Sequence, residues 1–465
     1  MTQVEQLARF VVEASYEDIS AEALAALKVR ILDALACAIG AMDGAPIGTL
    51  RSYTEELGGA PLATLIGGGK TAPDRAAFYN AALVRYLDFN DSFLAKHETC
   101  HPSDNIGAAL AGAEYARAAG RDLLTAIAVA YQVQCVLSEK APVRGRGFDH
   151  TVQGAYSAAA GVSRATGLDI AQTANAIAIS GTANNALRVT RTGSLSNWKG
   201  LAFPCVGAAA TQAAFLARHG ITGPAAVFEG NKGFIETISG PFELDWSKVG
   251  LDAVPRTIVK RFNAEVHSQS AIEGLLELRQ KHHINARDVD SIHLETFDVA
   301  YNIIGGGEEG EKKSIRRKEE ADHSLPYLLA VALLDDGVLP AQYAPERIVR
   351  EDVQTLLRKV TVVPDEDLSR RFPEQMPCRL TVQMRDGRAF TVEKTDFIGF
   401  TTRPLSWEHA CDKFSRLTEG FAAESLSQEI IAAVDQLEDI TTTDLMAILA
   451  RAGNATTGDA RTGKG

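Results

Sequence analysis

DLLTAIAVAYQVQCVL, residues 122–137, decides the fold class. It is rich in Ala, the residue with the best helix propensity, whose small side chain also lets helices approach closely. TVQGAYSAAAGVSRAT (151–166) and CVGAAATQAAFLARH (205–219) have the same character. Upstream, Leu24, Leu27, Ile31 and Leu35 fall at helical spacing within AEALAALKVRILDALACAIG, and Ser20 is placed to cap its start. Gly120, Gly167 and Gly220 each end such a pattern, which predicts left-handed C-caps. Residues 1 to about 260 therefore read as an all-helical domain.

After Pro255 the pattern changes. VDSIHLETFDV, RKVTVVP, CRLTVQM and AFTVEK alternate apolar with polar residues, and Asp386-Gly387 joins the last two as a hairpin. Helical patterns at SAIEGLLELRQKHH, SLPYLLAVALLDD and REDVQTLLRK interleave with them. The expected fold is mainly α: a large all-helical domain from both chain ends (1–262 and 397–453) and a smaller α+β domain (263–396) inserted into it. The polar, glycine-rich residues 454–465 are expected to be a disordered tail.

With 465 residues and 46% apolar content, the chain can fill two cores. A formal charge of −12 argues against nucleic acid or an anionic membrane as partner. The six cysteines form no CxxC pair, which speaks against a zinc ribbon or a closely spaced iron-sulfur ligand set and for buried thiols in a reducing cytosol. Without a leader pattern or an uncharged spanning stretch, the chain is expected in the cytoplasm. GGGEEGEKKSIRRKEE (305–320) carries five cations, Lys312, Lys313, Arg316, Arg317 and Lys318, and reads as a solvated loop.

The chemistry concentrates in YLDFNDSFLAKHETCHPSDN, residues 86–105. Pro102 holds the His101 backbone extended, a fixed platform for a side chain that can exchange protons near neutral pH. Asp88, Asn90 and Asp91 lie close enough for a carboxylate to orient that imidazole, although DFND can equally be a turn that hydrogen-bonds to its own backbone. Ser103 or Asp104 can cap the helix that follows. Ser92 adds a hydroxyl.

Further polar islands break the apolar chain. In GRGFDHTVQGAY, His150 stands at a helix mouth, where the positive helix end lowers its pKa, and Asp149 or Thr151 can supply the cap. RVTRTGSLSNWKGLA offers Arg188, Arg191 and Lys199 with Ser194 and Ser196, a combination suited to carboxylates or phosphates. KRFNAEVHSQSAIE places Lys260, Arg261, His267 and Gln269 at the change from helical to mixed pattern, and ADHSLPY adds His323 and Tyr327. No GxGxxG follows a strand, and neither GxxxxGK[ST] nor GxSxG occurs.

LDFNDS with HPSDN, GFDHT, SNWKGLA, VFEGNKGF, FNAEVHSQSAIE and ADHSLPYLLAVALLDDG, in this order, resemble the MmgE/PrpD family from about residue 5 to 445. That family includes 2-methylcitrate dehydratases, cis-aconitate decarboxylases and iminodisuccinate epimerases. The resemblance implies a helical domain, an α+β lid, a homodimer, and catalysis without metal or organic cofactor. It transfers active-site roles to Asp88, Ser92, His101, His150, Lys199 and Tyr327, with Lys260 as a substrate contact. Ser92 replaces the threonine common in the family and keeps the hydroxyl.

HPSDN and FNAEVHSQSAIE resemble the methylcitrate dehydratase branch more than the decarboxylase branch. The expected activity is therefore dehydration of 2-methylcitrate or a related tricarboxylate, as in propionate catabolism. His101 and His150 form the acid/base pair, Asp88 orients an imidazole, and Tyr327 is a donor carried by the lid. Asn90, Asp91, Arg188, Arg191, Arg261, His267 and Gln269 are expected around the di- or tricarboxylate. Decarboxylation or epimerisation is the rival chemistry, and a catalytically silent, carboxylate-binding helical dimer is the rival without chemistry.

Overall fold

A computed structural model describes residues 1–193 and 195–453. Ser194 and the expected tail 454–465 lie outside the described residues. The chain forms two compact units, one built from Met1–Arg191, Asn197–Ile258 and residues 406–453, the other chiefly from Val259–Leu405.

The first unit is helical. Its elements are α1 (Gln3–Glu13), α2 (Ala21–Gly40), α3 (Ala45–Leu57), α4 (Pro73–Tyr86), α5 (Ile106–Ala116), α6 (Gly120–Lys140), α7 (Thr151–Ala165), α8 (Ile170–Ala183) and α9 (Trp198–Arg218), joined by the helices Trp407–Thr418, Glu424–Asp435 and Thr442–Leu449. The Ser20 hydroxyl accepts from the Ala23 amide at 3.1 Å and so caps α2. Helices α6 and α7 are the centre of the core: α6 is buried from Leu123 to Ser138, and α7 throughout except at Arg164. The small residues act as expected. A Cβ on Gly107 of α5 would lie 2.4 Å from the Ala81 nitrogen of α4, and one on Gly154 of α7 would lie 2.4 Å from the Phe203 ring of α9. Helix Trp407–Thr418 is tied to α2 through Lys413, whose Nζ lies 2.6 Å from Asp33 and donates to the Phe89 carbonyl at 2.9 Å.

Gly167 and Gly220 have the positive φ expected of C-caps, 67° and 88°. Gly120 does not cap α5. The left-handed residue there is Arg117, at φ 53°, and Gly120 opens α6, where a Cβ would lie 1.6 Å from the Leu437 carbonyl oxygen. Close approach of two backbones, not turn geometry, demands glycine at that position.

One helix among the described residues, α9, is long and apolar enough to cross a membrane by length and composition alone. Its inner face packs against α4, α7 and α8, as a core helix does.

Two short hairpins decorate this unit: β1 (Ala63–Thr64) with β2 (Lys70–Thr71), and β3 (Phe93–Ala95) with β4 (Glu98–Cys100). Both Glu98 oxygens are engaged. Oε2 accepts from the Val143 and Arg144 amides at 3.0 and 2.9 Å, which pins the β3–β4 hairpin to the chain entering α7.

The second unit carries a four-stranded sheet in the order β6 (Val360–Pro364), β5 (Val289–Thr296), β7 (Cys378–Met384), β8 (Ala389–Lys394). The β5–β6 pair is parallel and the others antiparallel, with Gly387 at φ 90° in the β7–β8 turn. Strand β7 alternates buried and half-buried residues along its length, the period-2 signature of a sheet with one covered face. Helix α10 (Gln269–His282) packs against β7 and β8. Ile272, Leu275, Leu294, Leu328, Leu380 and Val382 belong to the core formed there.

Candidate active site

The last turn of α4 starts the site. Arg85 Nη1 donates to Asp88 Oδ1 at 2.6 Å, and the Asp88 amide closes the turn on the Arg85 carbonyl at 3.0 Å. Asp88 is held at φ 54°, a left-handed conformation that Asp tolerates better than most side chains. Its other oxygen lies 3.3 Å from Lys199 Nζ, which comes from the first turn of α9. The Asp88 carboxylate thus joins two cations, Arg85 and Lys199.

His101 is oriented by the loop that precedes it. Its Nδ1 lies 2.8 Å from the Asp91 carbonyl oxygen and 3.1 Å from Ser92 Oγ. A carbonyl only accepts, so Nδ1 carries a proton, and in the neutral ring the lone pair is then on Nε2. His101 is extended, at φ −125° and ψ 87°, as the following proline requires. Ser92 is itself anchored by two backbone hydrogen bonds to Ile258, at 2.9 and 2.7 Å.

Asn90 and Asp91 are buried and brace this loop. Asn90 Nδ2 donates to Ser103 Oγ and to Asp104 Oδ1, both at 2.8 Å. Asp91 Oδ1 accepts from the Ser103 amide at 3.0 Å and from its hydroxyl at 2.7 Å. Ser103 and Asp104 thus turn inward, and no side chain caps α5.

His150 enters from the other side as the residue preceding α7. Its ring centroid lies 5.4 Å from that of His101, with the planes at 73°. Asp149 Oδ1 caps α7 by accepting from the Thr151 amide at 3.1 Å, while Asp149 Oδ2 accepts from Arg191 Nε at 2.7 Å. Arg188 approaches the same oxygen at 3.9 Å. Arg191 also donates to the Lys199 carbonyl at 3.2 Å, and its Nη2 lies 3.5 Å from His150 Nε2. The first unit thus gathers His101, His150, Arg188, Arg191, Lys199, Asp88 and Ser92 around one locus.

Burial sets the charge states. It pushes the His150 pKa well below the ordinary 6.5, and the nearby arginines push the same way while Asp149 opposes them, so the ring is neutral at pH 7. The His150 Nδ1 atom is buried and has no hydrogen-bond partner among the described residues, its nearest carboxylate oxygen being 3.6 Å away. Asp149, although buried, is held well below the usual carboxylate range by the Arg191 guanidinium that donates to it and by the Thr151 amide, and is ionised. Asp104 behaves oppositely: burial raises its carboxyl to about 7 against the pull of Arg85 and Arg191. A neutral imidazole beside three fixed cations is arranged to receive an anion and move a proton.

The second unit holds the remaining expected residues, and several are committed elsewhere. Tyr327 is fully buried in the helix Leu325–Asp335, and its hydroxyl donates to the Gln342 carbonyl. Burial also pushes that phenol above its ordinary pKa. The hydroxyl hydrogen expected to serve as a lid-borne donor is thus committed to the Gln342 carbonyl in this structure. Gln269 is likewise structural: Oε1 accepts from the Arg261 and Phe262 amides at 2.9 and 3.0 Å, and Nε2 donates to the Phe262 and Ala264 carbonyls. Arg261 pairs with Glu273 at 3.0 Å. His267 Nδ1 lies 2.7 Å from Glu265 Oε1, with the ring against Phe297 and Phe372. Lys260 is buried at 1% exposure.

Three contributors escaped the sequence reading. Arg85 carries a signal, since it lies three residues before Asp88 and so shares a helix-turn face with it. Asp104 and Asp149 read as helix caps, and only the tertiary structure turns them toward Asn90 and Arg191.

The comparisons agree with this architecture. The model of the MmgE/PrpD N-terminal domain matches residues 5–247, and that of the MmgE/PrpD C-terminal domain matches residues 262–439. The chain is 27% identical to the 2-methylcitrate dehydratase of Cupriavidus necator, over 77% of each chain. It is 27% identical to that of Salmonella typhimurium, over 81% of each. It is 26% identical to the cis-aconitate decarboxylase of Mus musculus, over 79% of this chain and 76% of the relative. With both domain models matched in order across most of its length, the chain belongs to the MmgE/PrpD family.

Proposed function

We propose that this protein is a lyase that removes water from 2-methylcitrate or a closely related tricarboxylate. The observation that carries the reading is the pair of buried imidazoles, 5.4 Å apart, bordered by Arg188, Arg191 and Lys199. Elimination of water next to a carboxylate needs a base for the carbon-bound proton and a donor for the departing hydroxyl. His101, with its lone pair on Nε2, serves as the base. His150, neutral and with its ring centroid 5.4 Å away, donates an N–H hydrogen bond to the departing hydroxyl, and the proton that His101 takes from carbon is passed to that oxygen, so that it leaves as water and both imidazoles return to their starting state. The cations hold the charge that builds on the carboxylate side as the proton leaves, a contribution of roughly several kcal/mol in a site that excludes water.

The test is product formation from 2-methylcitrate, citrate, isocitrate and cis-aconitate, followed by the ultraviolet absorbance of the unsaturated acid. His101→Ala and His150→Ala should each lower turnover by about 10²-fold or more with unchanged circular dichroism. Wild-type turnover in His101→Ala would refute the assignment. The comparable identity to the mouse cis-aconitate decarboxylase supports a second reading, in which the same pair protonates carbon after loss of carbon dioxide. Release of carbon dioxide from cis-aconitate, without dehydration of 2-methylcitrate, would select it.

The functional form is proposed to be a homodimer. Trp198, Cys205 and Leu216 are exposed along one outer stripe of α9, with Leu187 and Val189 exposed just before it. A second copy of this chain would cover such a face.

A further inference from the structure

We propose that the second unit contains a binding cleft for a small organic anion carrying at least two negative charges, separate from the chemistry of the imidazole pair. The cleft has a volume of about 560 Å³ and is lined by Lys313, Arg316, Arg358, Gln354, Ile315 and Val349, together with Glu311 and Ser314. That volume falls within the range of roughly 300–1,000 Å³ typical of small-molecule sites.

The charges at the cleft differ from those around it. Arg317 pairs with Glu320 at 3.3 Å, Lys318 with Asp322 at 3.3 Å, Arg347 with Asp335 at 2.6 Å and Arg350 with Asp352 at 2.8 Å. Lys313, Arg316 and Arg358 have no acidic partner for their side chains among the described residues. Lys313 Nζ makes only a long contact, 3.4 Å, with the Arg358 carbonyl. The single acid in the lining is already engaged: Glu311 accepts from the backbone amides of Lys313 and Ser314. In a chain of net charge −12, three cations left unmatched around one hollow are a focus of positive potential.

The cleft is braced. Gln354 Nε2 donates to the Ile315 carbonyl at 3.2 Å and to the Ile348 carbonyl at 2.8 Å, clamping the 311–316 segment onto the helix Glu351–Arg358. Gln354 and Arg358, four residues apart, share one face of that helix, so the guanidinium projects beside the clamp. Two planar guanidinium forks suit phosphate or carboxylate oxygens, and a lysine adds a point charge. Val349, exposed at 51%, and the buried Ile315 give an apolar wall for the carbon skeleton of the ligand.

Calorimetric titration of the full chain at low ionic strength tests the site, with pyrophosphate and citrate as the probes. One saturable site is expected for at least one of them, weakened about tenfold or more in Arg316→Gln/Arg358→Gln and abolished at high salt. Pyrophosphate as the tighter probe assigns a phosphorylated ligand, and citrate a polycarboxylate. Citrate is titrated in the His101→Ala/Lys199→Gln background, so that binding at the proposed lyase site is not counted. Arg317→Gln, whose side chain is already paired, should leave the affinity unchanged. Absence of saturable heat with both probes, equal affinity in the double variant, or equal weakening by Arg317→Gln would overturn the proposal.

Discussion

Arg85 is the hinge of a buried chain of charge: Asp104 at 3.7 Å, Arg85, Asp88 at 2.6 Å, and Lys199 3.3 Å further on. Because burial raises the Asp104 carboxyl to about 7 from an ordinary 3.8, the native state holds that proton more tightly than the unfolded chain does. Stability from this group is therefore present below about pH 4 and is lost as pH rises to about 7, each tenfold difference in proton affinity between the folded and unfolded chain contributing about 1.4 kcal/mol. Asp104→Asn keeps an oxygen for Asn90 and should remove the slope, so its urea midpoint should gain on wild type at pH 8 relative to pH 5. An unchanged difference between the two pH values would show that Asp104 is ionised throughout. His150 has the opposite sign. With its folded pKa below 6.5, it costs stability only as pH falls through 6.5 and below, and His150→Gln should flatten that acid limb in the same assay. The polar residue types of this site were legible in the string 86–105, as was the extended His101 before its proline. The partners were not, because whether Asp104 caps a helix or faces Asn90 is settled by packing, which leaves no local pattern in the string.

At the scale of elements, the Ala-rich segments predicted their helices because Ala, Leu and Val fill about half of their positions with no proline or turn cluster between them, and the alternation of 378–384 marked β7 equally well. What a helix does with its glycines is less visible. Gly107 and Gly48 both lie inside helices and look alike as letters, yet a Cβ at Gly107 would strike the Ala81 backbone while one at Gly48 meets nothing within 4 Å. Gly48→Ala should therefore stabilise by about 0.5–1 kcal/mol, the propensity difference in an exposed helix. Gly107→Ala should destabilise by about 1–3 kcal/mol, since main-chain atoms cannot swing away as a side chain can. Melting temperatures of the two variants decide it, and a shift of the same sign in both would mean that α4 and α5 do not pack through Gly107. Gly120, misread as a cap, belongs to the same lesson: its neighbour, the Leu437 carbonyl, is over three hundred residues away in sequence.

At the scale of the molecule, composition predicted a mainly helical protein, and periodicity separated helical from mixed segments. Which surfaces remain to be covered could not be read, because α9 is apolar on both faces and its sequence does not say which one the core takes. The structure turns Ala202, Phe203, Val206, Ala210, Ala213 and Ala214 inward and leaves Trp198, Cys205, Gln212 and Leu216 outward, at the seven- and four-residue spacings of a single stripe. Leu187 and Val189, exposed at 60% and 70%, extend it. Isolated apolar residues on a surface are ordinary, but five near one helix, four of them large, form a patch of the kind that second copies cover. A stable dimer buries roughly 800 Å² on each partner, so interrupting the stripe at both ends should be enough to open it. Val189→Glu/Leu216→Glu should halve the mass measured by light scattering at micromolar concentration, and the fluorescence of Trp198 should shift to the red as that ring becomes wet. An unaltered mass in the double variant would move the proposed dimer contact away from α9, and a monomeric wild type would remove it.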